Sequence, residues 1–319
     1  MPSLAVLITY YDEGPLLREC LDSLFAGDDQ PDEILVYDDA SPTVPAREIV
    51  SRDMPVRIIR GDENVGPSRG RNRLLKRAST DYVHYHDADD LFHSDWCRRV
   101  RSALDAPQGT PPDLVLTEIT SERDDTVAAE CVVGISDLAA GADLLRFCVQ
   151  HPILPACGTY RRSLLKSVDG YRTDLWQAED YDLHIRLALE SPAYVCIPEP
   201  MVTIRLRPGG RSRKNHHEVA QSVVQIARYL RDRLPLDCHT DLAERVAKAG
   251  SSLYQSGRHD EAKQAFQLAA DLGPPQEYAG KHRLYQVLAR ALGGYTAEQV
   301  SEAYRTLLPQ GLRARLPRS

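Results

Sequence analysis

Short apolar runs separated by polar turns open this chain. Leu4-Ala-Val-Leu-Ile8 is followed by polar Thr9-Tyr-Tyr-Asp-Glu-Gly14 and then by apolar residues at positions 16, 17, 20, 21, 24 and 25, which reads as strand, loop and amphipathic helix. The strand pattern returns at residues 34–37, 56–59 and 82–86, with helical spacing over 46–50 and 66–78 between them. Short strands alternating with helices predict parallel pairing and a Rossmann-like, doubly wound, mostly parallel α/β sheet. Residues 91–104 have the spacing of a further helix.

After the turn Pro107-Gln-Gly-Thr-Pro-Pro112, strands are expected at 114–118, 126–133, 157–160, 194–197 and 201–204, and helices at 137–149, 163–168 and 179–189. Arg207-Pro-Gly-Gly210 breaks this alternation, and from His216 onward only helical periodicity remains. Within that stretch Gly250, Gly257, Ala262, Phe266, Ala269 and Pro274 have the spacing of one tetratricopeptide-like helix-turn-helix. The chain therefore divides into residues 1–105 and 106–213, two halves of one α/β domain, and an all-α extension, 214–319. An isolated repeat cannot bury its own faces, so the extension is expected to pack on the rest of the chain, on a partner protein or on a second copy.

Charge separates the same parts. Residues 214–319 carry 15 Lys and Arg against 11 Asp and Glu, a surplus of +4, while residues 1–213 carry 24 against 35, a deficit of −11. The acidic part argues against nucleic acid as a partner. Leu312-Arg-Ala-Arg-Leu-Pro-Arg318 is a short basic stretch suited to peripheral contact with an anionic membrane, but equally to a solvated end. Seven cysteines are scattered without a Cys-x-x-Cys pair, which suggests reduced thiols rather than a disulfide framework. With no long apolar run and no basic leader, a cytoplasmic protein is expected, acting in solution or at the inner face of the membrane.

The polar clusters fall where an open α/β sheet binds ligands, beyond the carboxyl ends of its strands. Thr9 to Glu13 follow the first strand, Asp38-Asp39 the second, Asn64 the third, and Asp87-Ala-Asp-Asp90 the fourth. Carboxylates two apart at a strand end project to the same side, where a hard divalent cation and phosphate oxygens would complete a coordination shell. The same acids could instead cap a following helix.

Taken in order, Leu4-Ala-Val-Leu-Ile-Thr-Tyr-Tyr-Asp12, Val36-Tyr-Asp-Asp-Ala-Ser41, Asn64-Val-Gly-Pro-Ser-Arg-Gly-Arg-Asn72, Asp87-Ala-Asp-Asp90 and Ala178-Glu-Asp-Tyr-Asp-Leu183 resemble family 2 glycosyltransferases of the glycosyltransferase A fold, over roughly residues 3–213. The resemblance implies transfer of a sugar from a nucleotide-diphosphate donor, a UDP-sugar in the first instance, to a hydroxyl of a saccharide or lipid-linked saccharide acceptor. Inversion at the anomeric centre and a role in polysaccharide or glycoconjugate synthesis are implied with it. Residues 1–105 would be the donor-binding half and 106–213 the acceptor-binding half. Thr9 and Asp39, or Asp38 in place of Asp39, would hold the nucleobase; Tyr11, Glu13 and Asn64 would line the same site. Arg71 would approach the ribose or diphosphate. Asp87 would contact ribose and share with Asp89 the binding of Mn²⁺ or Mg²⁺, leaving Asp90 a supporting or capping role.

By the same resemblance Asp180 would be the base that deprotonates the acceptor, with Glu179 orienting it and Trp176 packing on a sugar ring or on the core. The family often carries Arg-x-His after its last strand, whereas this chain has Arg205-Leu-Arg207. An arginine pairs with phosphate but does not ligate a metal, so Arg207 would act as a charge clamp, with His184, His216 and His217 as alternative ligands. His84 and His86 read as structural. Two other classes compete. A nucleotidyltransferase would need a Gly-rich basic loop where Thr9–Gly14 is acidic, and a non-catalytic interaction protein would act through the helical extension.

Overall fold

The computed structural model describes residues 1–105, 109–123, 126–127, 133–206, 216–275, 278 and 283–307. Two compact units emerge: Met1–Asp174 with Glu179–Pro208, and Leu175–Ala178 with Gly209–Ser319.

The first unit is built on a sheet of nine strands among the described residues. β1 (Leu4–Tyr10) lies between β2 (Glu33–Asp38) and β4 (Tyr82–Asp87), and β3 (Arg57–Arg60) forms the edge beyond β2. All three pairings are parallel. Helix α1 (Gly14–Phe25) buries Leu17, Cys20, Leu21 and Leu24, the i, i+3, i+4, i+7 stripe that its sequence carries. After α2 (Ala46–Ile49) and β3, α3 (Pro67–Arg77) returns the chain towards β4. Gly70 lets α3 settle on β2, because a Cβ there would meet the Tyr37 ring at 2.8 Å. The chain moves outward through β2 and β3 and then back to the other side of β1. The β1/β4 junction is therefore the topological switch point, where ligands bind in such sheets. In register there, Thr9 stands beside Asp87 and Tyr10 beside Asp38.

Beyond β4 the sheet is mixed. β8 (Gly158–Arg161) runs antiparallel to β4 and to β6 (Leu114–Arg123), while β6 is parallel to β9 (Tyr194–Arg205). The sheet is thus parallel throughout only in its first half. The two expected strands at 194–197 and 201–204 join as β9, with a register shift opposite Glu118 that absorbs Pro198 and Pro200, residues that cannot donate to a ladder.

Two helix expectations need correction. Leu91–Phe92 is a short strand, β5, paired with β9 at Thr203 and Val202, and helix α4 begins only at Trp96. Asp90 therefore caps no helix. The expected helix over 137–149 is two, α5 (Ser136–Ala139) and α6 (Leu144–Gln150). Gly141 at φ 98 breaks them apart, and the Asp143 side chain caps α6 by accepting from the Arg146 N–H at 2.7 Å. β7 (Thr126–Val127) is the described part of the strand expected at 126–133. α7 (Arg162–Ser167) and α8 (Glu179–Leu189) complete the unit.

α8 is fixed by a buried charge network. Asp182 is fully buried, paired with Arg186 at 2.7 Å and Arg172 at 3.3 Å, and Arg186 also donates to the carbonyls of Val168 and Gly170. A second buried carboxylate, Glu118, accepts the backbone N–H groups of Ile119, Val133, Gly134 and Ile135 at 2.7–3.0 Å, tying that loop to β6.

The second unit, by itself, is helical: α9 (His216–Leu230), α10 (His239–Gln255), α11 (His259–Leu272), α12 (Arg283–Leu292) and α13 (Gly294–Leu307). α10 and α11 form the helix-turn-helix expected of the tetratricopeptide-like stretch, with Gly257 at φ 76 in the turn. A Cβ on Gly250 would sit 3.2 Å from the Phe266 ring, so the small residue allows close helix contact. Within this unit Tyr285 donates to buried Glu298 at 2.6 Å and Tyr254 to Glu302 at 2.5 Å. Among the described residues no helix is long and apolar enough to cross a membrane. The basic stretch 312–318 lies outside them.

Glu118→Ala leaves four backbone donors without their acceptor and is expected to destabilise the first unit by about 3–5 kcal/mol, read as a lower urea midpoint at unchanged slope. Glu118→Gln, which turns an amide NH₂ toward some of the same donors, should recover little of that loss.

Candidate active site

Six aspartates, Asp12, Asp38, Asp39, Asp87, Asp89 and Asp90, lie at or just beyond the carboxyl ends of β1, β2 and β4. Asp38 at the end of β2 is 1% exposed. It accepts from the backbone N–H of Ser41 at 2.9 Å and of Ala46 at 3.0 Å, and from the Arg60 guanidinium at 2.5 Å. Burial opposes its ionisation, but these bonds outweigh it and hold the carboxyl below the usual range. Asp38 is thus committed to shaping the loop after β2. Asp39 accepts one backbone N–H on each oxygen, from Val65 and from Gly66, both at 2.8 Å. A carboxylate has about four acceptor positions, so Asp39 keeps capacity for a further donor. Gly66, at φ 81, makes the turn that presents these N–H groups just before α3.

Asp12, to which the sequence reading gave no role of its own, organises the opposite wall. Its carboxylate accepts from the Thr43 and Val44 N–H groups at 3.0 and 2.6 Å, and its own N–H donates to the Ser41 hydroxyl. Tyr11 is 46% exposed beside it, Glu13 sits at the start of α1 with its carbonyl accepting from Leu16 and Leu17, and Asn64 is exposed in the loop before α3. Asp12, Ala40 and Ala178 have φ of 58°, 60° and 58°, a region that costs a non-glycine residue about 1–3 kcal/mol. Each adjoins one of the clusters at issue here.

Asp87 ends β4. Its Oδ1 accepts from the Thr9 hydroxyl at 3.1 Å and from Arg71 at 2.8 Å. Burial raises the carboxyl, but Arg71 and Thr9 bring it below its ordinary value. Thr9 thus faces Asp87. Arg71, from α3, is only 4% exposed; it also donates to Glu179 at 3.1 Å and lies 5.1 Å over the Tyr171 ring. Asp89 is partly exposed, and its carbonyl accepts from the Arg205 Nε. Asp90 is buried and accepts the Arg205 backbone N–H at 3.0 Å. Burial, with the charges of Asp89 and Asp87, pushes its carboxyl well up. Arg205 therefore ties β9 to the acidic turn, a contact between residues 115 apart in sequence that no local signal announces.

On the far side, α8 opens with Glu179 and Asp180. Burial, reinforced by the neighbouring Glu179 carboxylate, pushes the Asp180 carboxyl up to about 7. His184 does not serve as a ligand. It is buried, its Nδ1 donates to the Asp180 carbonyl at 2.8 Å, its Nε2 accepts from the Tyr160 hydroxyl at 2.9 Å, and burial lowers it to about 4. His84 and His86 are buried as well. His84 meets the Gly158 carbonyl at 2.9 Å, and His86 stacks on Phe92 with ring centres 3.8 Å apart. Trp176 is 64% exposed on the segment Leu175–Ala178, which groups with the helical unit. Its neighbour Gln177 donates its backbone N–H to the Ser222 hydroxyl. His216 and His217 begin α9 of that unit. Arg207 lies outside the described residues.

The described residues contain no cluster of three or more His, Cys, Asp or Glu able to hold a metal by themselves. The Asp87–Asp89 pair fits a different arrangement, in which one or two carboxylates and substrate phosphates share a Mg²⁺-like cation. The donors present are hard oxygens, consistent with that class of ion.

Comparisons with known proteins bear on the family and the fold. The model of the family described as glycosyl transferase family 2 matches residues 5–168, just over half of the chain. The uncharacterized glycosyltransferase YwdF of Bacillus subtilis is 24% identical over 185 residues, covering 58% of this chain and 68% of that protein. An N-acetylglucosaminyltransferase of a Rhizobium species is 31% identical over 192 residues, covering 57% of this chain but only 42% of its own length. Among solved structures, S. aureus TarS 1-349 in complex with UDP-GlcNAc superposes with a TM-score of 0.72 at 20% identity, covering 95% of this chain and 92% of that one. The mannosyltransferase PcManGT of Pyrobaculum calidifontis, in complex with GDP-Man and Mn²⁺, gives 0.59 at 20% identity, covering 95% and 87%. At these identities the structural likeness establishes the glycosyltransferase A fold. With the matched stretch running from β1 through α7 and carrying the acids at the strand ends, this chain belongs to glycosyl transferase family 2.

Proposed function

We propose that the protein moves a sugar from a nucleoside-diphosphate donor to a hydroxyl of a saccharide or lipid-linked saccharide acceptor, inverting the anomeric centre by a single displacement with Asp180 as base. The observation that carries this reading is Asp180 itself, a carboxylate at the head of a pinned helix that burial and the neighbouring Glu179 push up to about 7. A base works best when its pKa lies near the operating pH.

Geometry and the likeness to the relatives support the remaining roles. Asp39 keeps acceptor capacity for a nucleobase N–H, whereas Asp38 is buried and already accepts from Ser41, Ala46 and Arg60. A UDP-sugar is the favoured donor, supported by the UDP-GlcNAc complex of the TarS relative. GDP-sugars are the alternative, in view of the GDP-Man complex of PcManGT. Asp89, with Asp87, would hold Mn²⁺ or Mg²⁺; such a cation supplies Lewis-acid neutralisation of the departing diphosphate. The chain's own part is to seat the donor at the β1/β4 switch point, hold Asp180 where the acceptor hydroxyl gives up its proton, and keep Glu179 turned to Arg71. The helical unit would contact a partner protein or a second copy, and Trp176 would offer an aromatic face for a sugar ring. Synthesis of a polysaccharide or glycoconjugate, in the cytoplasm or at the inner membrane face, is the setting that suits such a substrate pair.

A panel of UDP-, GDP-, dTDP- and CDP-sugars with Mn²⁺, read by thermal shift and by donor hydrolysis, should yield at least one ligand; none at all would sink the proposal. With that donor, Asp180→Asn should keep nucleotide binding while turnover falls about 10²–10⁴-fold. Because the raised carboxyl is protonated and inactive below its pKa, kcat/KM of the unmodified enzyme should fall about tenfold per pH unit below about 7; a flat acid limb removes Asp180 as base.

Asp89→Ala should weaken nucleotide binding at least about tenfold in the presence of Mn²⁺ and leave the weak binding seen in EDTA unchanged. Equal affinity with and without the carboxylate would remove Asp89 from the metal site.

A further inference from the structure

Arg71 is the one side chain of the described site that touches both of its acidic walls. Its guanidinium reaches Asp87 at the end of β4 and Glu179 at the head of α8, residues 16 and 108 positions away. It does so while 4% exposed, lying over the Tyr171 ring, with its Nε–H lacking a hydrogen-bond partner among the described groups. Tyr171 is fixed in turn: its backbone N–H and carbonyl both bond to the Asn72 side chain, which follows Arg71 on α3. The cation cannot swing out to solvent, so its charge is divided between two carboxylates. Asp87, with 40% of its side chain exposed, faces outward, whereas Glu179, at 15%, is the more enclosed partner.

We infer that Arg71 couples the donor site to the base: whatever engages Asp87 turns more of the guanidinium's charge toward Glu179 and Asp180, so that Asp180 is ready to take a proton when a donor is seated. Arg71 acts here as a positioning residue, and the inference rests on the reading of Asp180 as base. The charged and titratable groups facing Asp180 set the direction of the effect. Glu179 on its own helix opposes its ionisation and Arg71 from α3 favours it. Tyr171 beside α3 and Cys157 before β8 are buried and neutral, and His184, also neutral, meets only its backbone carbonyl. Arg71 is therefore the one cation of this set. Any ligand that competes for Asp87 leaves Glu179 better neutralised and lessens the repulsion that adds to burial in raising the Asp180 carboxyl. Occupation of Asp87 thus lowers that carboxyl and favours its ionised, proton-accepting form. Such an arrangement withholds the base from water and stray hydroxyls until the sugar is in place.

The test is a titration of the Asp180 carboxyl by ¹³C NMR in the full-length chain, its resonance assigned by its loss in Asp180→Asn, with and without saturating UDP and Mg²⁺. The midpoint should fall by about one pH unit on adding nucleotide and metal. In Arg71→Met the starting midpoint should be higher and the nucleotide should no longer move it. Arg71→Lys, which keeps the charge but not the two-armed reach, should restore part of the response. Should Arg71→Met not fold, Glu179→Gln serves in its place: removing the repelling carboxylate should bring the nucleotide-free midpoint down to that of the complex. UDP that binds by calorimetry without shifting the midpoint, or a full shift retained in Arg71→Met, overturns the coupling and leaves the transferase reading standing. If UDP, GDP, dTDP and CDP all fail to bind, the transferase reading falls and the coupling falls with it.

Discussion

A guanidinium buried between a carboxylate at the end of strand β4 and one at the head of helix α8 is the interaction on which the rest of this site depends. Arg71 holds Asp87 ionised, closes the distance between β4 and α8, and leaves the Glu179–Asp180 pair with less than a full counter-charge. An isolated charge in a protein interior is costly, and a cation enclosed to this degree persists only with acidic partners around it. Asp87 and Glu179 therefore do structural work whatever else they do. Two opposite tendencies meet beside this arginine: it holds the Asp87 carboxyl low, while burial and Glu179, against its pull, hold the Asp180 carboxyl high.

The supporting structure follows from the same need for fixed charges. α8 can present Asp180 because Asp182, two residues further along, is locked by Arg186 and Arg172. The acidic turn after β4 is fixed from β9 through Arg205, and the loop after β2 is fixed by Asp12 and Asp38 accepting backbone N–H groups. Strained backbone at Asp12, Ala40 and Ala178 is tolerated because these hydrogen bonds over-determine it. The result is a rim of irregular loops on a rigid sheet, which is where binding chemistry is commonly placed.

The sequence made legible whatever depends on local pattern. Three buried strands of the first half are apolar and aromatic runs, so β1, β2 and β4 lie where the hydrophobicity puts them, and the acids at their ends fall on one rim for the same reason. α8 begins and ends where its periodicity does. Local pattern could not report pairing direction beyond β4, because β8 and β6 read as ordinary strands whichever way they run. It also missed β5, whose two residues are a strand only because β9 lies beside them. The helix split at Gly141 was visible in principle, since a glycine followed by an Asp cap is a stop-and-start signal. For the site, Asp182 and Arg186 sit at the i, i+4 spacing that foreshadows their pair. Glu118 with its loop, Arg205 with Asp90, and Arg71 with Glu179 join residues distant in sequence, and nothing local encodes such partners.

In the proposed reaction the acceptor oxygen displaces the nucleoside diphosphate directly at the anomeric carbon, and no protein carboxylate bonds to the sugar. The anomeric configuration of the product, followed by ¹H NMR from the first turnovers with the sugar nucleotide that supports transfer, decides this. An α-linked donor should give a β-linked product from the earliest time point. A product that keeps the donor's configuration would require two successive displacements and a covalent glycosyl-enzyme, and would contradict direct displacement.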